Sequence, residues 1–149
     1  MSGFSGTRAS FPADLNLIAQ IVMGVALIGG AFLARAKRYK AHGVCMTIVL
    51  LLNLVAIGAV MWPSFGYLVL PRLWSHRNKR FYEVAAIHGV LGAAAELLGL
   101  YILLVAGTNI VPAALRIKGW KFWMRVELAL WMAALLAGIG TYLVWYTRP

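Results

Sequence analysis

Four long apolar runs, at about residues 14–34, 41–62, 81–106 and 120–146, alternate along the chain with short polar segments. Each is long enough to cross a hydrocarbon core of about 30 Å at about 1.5 Å rise per residue. The pattern predicts an all-α fold: an integral membrane four-helix bundle with antiparallel up-down topology. Residues 1–149 then form a single transmembrane domain, and an even number of spans puts both termini on one side. The first run exceeds the roughly 7–15 residues of a signal-peptide core, so it reads as a retained span.

The polar breaks define the turns. Residues 35–42 (RAKRYKAH) form a short basic turn, and Pro63 closes the second run, because proline costs a helix one backbone bond. The apolar stretch 65–70 is too short to span and is expected to lie in the interface. His76, set among Arg77, Lys79 and Arg80, reads as part of a solvated loop. Near the start, Phe11 suits an interfacial anchor and Asp14 suits the positive end of the first helix dipole. Ala26, Gly30 and Ala34 recur every four residues, a small-residue seam for close helix packing.

The third run is the unusual one. Stepping by three or four, Ala85, His88, Gly92, Ala95, Glu96 and Gly99 fall on one face, small and polar where lipid favours Leu and Ile. Such a face turns inward, toward a neighbouring backbone, a cofactor or a partner for the carboxylate and imidazole.

Composition sharpens the picture. Hydrophobic residues make up 62% of the chain and charged residues 12%, about half the share of a soluble domain, so the chain belongs in a membrane. Fourteen Lys and Arg against four Asp and Glu leave a net charge of +10. The cations sit in short clusters beside the spans, which points to contact with lipid headgroups and excludes nucleic acid as a partner. The turns after the first and third spans carry eight Lys and Arg and the opposite side six, which favours termini outside. The expected location is a bacterial or archaeal cytoplasmic membrane. The single cysteine, Cys45, rules out an intramolecular disulfide.

Counting depth along antiparallel spans sorts the polar residues into three levels. Gln20 and His88 fall toward the outer face, Asn53 and Glu96 near the middle, and His42, Arg125 and Glu127 toward the inner face, with Tyr101 between the last two groups. The column Gln20, Asn53, Glu96, Tyr101 and Glu127 is a polar seam that either fixes helix register or carries protons or ions, with Glu96 as the exchanging group. Arg125 is expected at the headgroups.

Two cofactor sites are compatible with the residue types. A b-type haem would take His88 as axial ligand, with Gly92 and Glu96 on the same face and Met23 as the second ligand. His42 cannot serve in that role, since it should lie roughly 15–20 Å from His88 in depth. Copper would use His42, Cys45 and Met46, which share a helix face at i, i+3 and i+4 and offer soft ligands. No nucleophile-base set, phosphate loop or HExxH occurs, so catalysis is not expected of the chain on its own.

The segments KRYKAHGVCM, IHGVLGAAAELLGLYILL and RVELALWMAALLAGIGTYLVWY resemble a family of small four-span membrane proteins, domain of unknown function four-twenty, often associated with cytochrome oxidase systems. That family tends to carry further histidines near the end of the second span and the start of the fourth. Here those regions read VMWPSF and GWKFWMRVE, with none, which suits a structural relative. The resemblance implies an accessory subunit of a larger membrane complex in respiration or electron transport, with other membrane subunits as partners.

Overall fold

The structure, a computed structural model, describes residues 6–72, 79–116 and 118–147, with Lys79 and Arg80 described by backbone alone. Four helices are long and apolar enough to cross a membrane: Phe11–Arg35, Tyr39–Arg72, Lys79–Gly107 and Trp120–Tyr146. Successive helices pack side by side, and the first closes against the fourth, giving an antiparallel four-helix bundle without strands among the described residues. His76 lies outside the described residues.

Local chemistry sets the helix ends. Pro12 lies in the first turn of the first helix, where a missing N–H costs nothing. That helix ends with Lys37 in the left-handed conformation (φ 61°), while the Arg38 N–H reaches the Leu33 carbonyl at 2.9 Å, the closing bond of a Schellman turn. Gly119 introduces the fourth helix at φ 84°, a conformation that glycine adopts without a Cβ clash.

The second helix departs from the sequence expectation. It does not stop at Pro63 but continues to Arg72, so residues 65–70 extend the span rather than lying apart from it in the interface. Two wide turns, Ile57–Met61 and Phe65–Val69, flank the proline. The Trp62 N–H bonds Ile57 and the Leu70 N–H bonds Phe65, each five residues back. Ala59, four residues before Pro63, falls within the first wide turn, which gives the ring room that a regular α-turn denies it. The continued helix packs on the third, with Phe65 over Gly89 and Val69 buried.

The core is narrow, as expected where lipid covers the outside. Met23, Leu27, Val49, Leu50, Ala95 and Trp131 form its central cluster. Val22, Val25, Phe32, Val90, Leu97 and Leu136 are exposed, the arrangement a hydrocarbon solvent favours.

Two clasps join the helix ends at the N-terminal side of the bundle. The Ala9 N–H donates to Thr7 Oγ1 (3.2 Å), Thr7 Oγ1 lies 2.9 Å from the Tyr142 hydroxyl, and that hydroxyl donates to Asp14 Oδ1 at 2.5 Å. Asp14 is only 1% exposed, so it acts as a buried acceptor linking the first and fourth helices as well as sitting near a helix start. Beside it, Trp145 stacks on Phe81 at 4.8 Å, and its indole N–H donates to the Phe81 carbonyl.

Candidate functional site

Along the first helix, Asn16 and Gln20 are one turn apart and project on the same side. Gln20 Nε2 donates to Asn53 Oδ1 at 2.8 Å, and Asn53 Nδ2 donates to Glu96 Oε2 at 2.8 Å. Three helices are thereby joined through side-chain amides to one carboxyl group. Asn53 is 5% exposed and Glu96 4%.

One turn further along the third helix is Gly99, and Glu127 of the fourth helix fills the space beside it. A Cβ on Gly99 would fall 2.6 Å from Glu127 Oε1 and 2.6 Å from Leu50 Cδ2, so glycine is what lets the second carboxyl group come in beside the first. Glu127 Oε1 accepts the Trp131 indole N–H at 2.9 Å. Each carboxyl is therefore held by one donor.

The other oxygen of each is not. Glu96 Oε1 and Glu127 Oε2 are buried with no hydrogen-bond partner among the described residues, and so is Asn16 Oδ1 at the far end of the column. In hydrocarbon an unsatisfied acceptor costs several kcal/mol by order of magnitude, which makes two neighbouring half-satisfied carboxyls an expensive way to fix register. Their exchangeable protons are the chemistry this arrangement offers.

His88 stands apart from this chain. Its Nδ1 donates to the Ala134 carbonyl at 2.9 Å, and the ring lies against Gly138, where a Cβ would fall 2.9 Å from Cε1. That bond makes Nδ1 a donor nitrogen and fixes the orientation of the ring. Around Gly92, between His88 and Glu96 on the same face, a Cβ would meet nothing within 4 Å. Met23 belongs to the core cluster with Ala95, about 10 Å along the helix from His88 by residue count.

His42, Cys45 and Met46 all face the first helix. His42 Nδ1 donates to the Gly30 carbonyl at 2.8 Å, Cys45 Sγ contacts the Ala26 carbonyl at 3.5 Å, and the Met46 methyl rests on Gly30. The seam of small residues on the first helix is thus the surface that receives this trio. Tyr101 donates to the Leu115 carbonyl and ties down the loop before the fourth helix. Arg125 is exposed.

Reasoning from sequence grouped Gln20 with His88 by depth, whereas the structure bonds Gln20 to Asn53 and His88 to the fourth helix. Depth counting says nothing about which way a side chain faces. Asn16, Trp131 and the Asp14–Tyr142 pair were not singled out as partners. The i, i+4 spacing of Asn16 and Gln20, two amides on one face of an apolar helix, was a usable signal for the first. No family model, curated protein or solved structure matches the chain.

Proposed function

We propose that this integral membrane protein handles protons inside the bilayer, exchanging them at the carboxyl pair Glu96 and Glu127. The observation that carries this reading is the buried Oε1 of Glu96, which has no donor among the described residues while its twin oxygen is held by Asn53. A group serving only as a helix-to-helix tie gains by satisfying both oxygens; one that must take up and release a proton keeps an oxygen free for it.

In this reading Asn53 and Trp131 are positioning residues. Each donates one N–H to the carboxyl oxygen that does not exchange, holding the group still and stabilising the charge left when the proton departs. Gln20 in turn fixes the Asn53 amide so that its NH2 faces Glu96. In this reading the exchanging oxygens are Glu96 Oε1 and Glu127 Oε2, on two carboxyl groups brought close because Gly99 has no side chain to keep Glu127 out. The test is proton flux into proteoliposomes under a potassium diffusion potential, read with an entrapped pH dye. The native chain should conduct and Glu96→Gln should lose the flux while remaining folded; equal flux in both, or none in either, contradicts the reading.

A second reading, an accessory subunit of a respiratory or other electron-transport complex, draws on the length of the second helix. At 34 residues it spans about 50 Å, well beyond a hydrocarbon core of about 30 Å, and its far half carries Trp62 and Tyr67 exposed. Such a ridge suits another membrane subunit, and the resemblance to the four-span family leans the same way. Native mass spectrometry after extraction in a mild detergent separates this reading: a stoichiometric partner supports it, and a lone chain that conducts protons removes it.

A further inference from the structure

We infer that the basic turn between the first and second helices is a binding site for a single anionic phospholipid, with one acyl chain in the groove beneath it. The groove is lined by apolar side chains of the first two helices, among them Ala26, Val44, Cys45, Ile48 and Val49, with Lys40, at the start of the second helix, marking its headgroup end. It is a shallow, open concavity rather than an enclosed cavity, as suits an acyl chain that stays in contact with the surrounding lipid. The polar groups nearest the floor are already engaged, His42 with the Gly30 carbonyl and Cys45 with the Ala26 carbonyl, so the groove presents apolar atoms to whatever fills it.

Charge decides which lipid. Arg35, Lys37, Arg38 and Lys40 are all exposed at this end, and Lys118, Lys121 and Arg125 add to the same side of the bundle. The chain has only four carboxylates. Asp14 and Glu83 belong to the opposite end, Glu96 is deep in the bundle, and Glu127 is turned inward to Trp131. No exposed carboxylate neutralises the turn, so its counter-charge has to come from outside the chain. A phosphodiester headgroup above an apolar groove supplies both the charge and the acyl chain.

The Schellman turn that closes the first helix places Lys37 at its left-handed position, within the same exposed basic turn as Arg35, Arg38 and Lys40.

The experiment is native mass spectrometry of the delipidated full chain offered equal amounts of dioleoyl-phosphatidylglycerol and dioleoyl-phosphatidylcholine. The expected result is a one-to-one adduct that prefers phosphatidylglycerol, by about fivefold for each cation in contact. The preference should fall toward parity in Lys40→Gln with Lys37→Gly. Val44→Trp, which fills the groove, should remove both adducts. Equal retention of the two lipids by the native chain, or an unchanged preference in the lysine variant, overturns the inference. Displacement of the lipid by millimolar inorganic phosphate also overturns it, because the turn would then be a plain anion site. The lysine variant alters exposed positions, and glycine suits the left-handed backbone at 37, so it keeps the test decisive even where Val44→Trp fails to fold.

Discussion

Two buried carboxylates in this bundle have opposite surroundings. Asp14, at the end of the first helix, accepts the Tyr142 hydroxyl at the head of a chain of donors through Thr7, and neither of its oxygens is left buried and unmatched. Glu96, in the middle of the third helix, accepts one bond from Asn53 and keeps a buried oxygen with no donor among the described residues. Both are almost completely hidden from solvent. The difference is therefore one of satisfaction: Asp14 fastens helix ends with its acceptors engaged, while Glu96 is held at one oxygen alone, the asymmetry on which the proposed proton exchange rests.

The largest effect should come from substitutions that keep shape and remove a proton site. Glu96→Gln preserves an acceptor for Asn53 and should lower proton flux at least about tenfold, with melting in detergent changed by less than about 1 kcal/mol. If flux and stability fell together, Glu96 would be a clasp like Asp14. Gly99→Ala comes next: its new methyl enters the space of Glu127 Oε1 and Leu50, and overpacking of this kind costs about 1–3 kcal/mol, read as a lower melting temperature. The same variant should also slow flux, since it pushes one carboxyl away from the other.

Tyr142→Phe tests the other half of the contrast. Losing a hydrogen bond to a buried carboxylate should cost about 2 kcal/mol in thermal or denaturant unfolding while leaving proton flux as it was. Asn53→Leu closes the series. It removes two intramembrane hydrogen bonds of about 1 kcal/mol or less each, so stability should fall by no more than about 2 kcal/mol, while flux drops because Glu96 is no longer held in place.

Much of this contrast is written in the residue types. A glutamate amid Ala, Gly and Leu is conspicuous, and the spacing of Ala85, His88, Gly92, Ala95, Glu96 and Gly99 defines a face without any structure. What the spacing cannot supply is rotation about the bundle axis. In a span that is apolar all round, little in the sequence tells whether Gln20 meets His88 or Asn53, or that Glu127 comes in beside Gly99. The Asp14–Tyr142 bond joins residues 128 positions apart, and its two members read separately as a helix-start acid and an interfacial aromatic. Pro63 misled for a different reason. Proline forbids a regular α-turn, but a pair of wide turns around it lets the second helix run on to Arg72, and apolar patterning does not encode such turns.

The central claim is that Glu96 exchanges a proton within the bundle. Infrared difference spectroscopy of the reconstituted protein across a pH jump tests it most directly, because a carboxylic acid and a carboxylate absorb at separate positions. The expected result is a pH-dependent carboxylic C=O component that is absent from the Glu96→Gln spectrum, shifted in Asn53→Leu and distinct from the absorption of the exposed Glu83 and of Glu127. Native and Glu96→Gln spectra that superimpose across the carboxylic C=O region would contradict it.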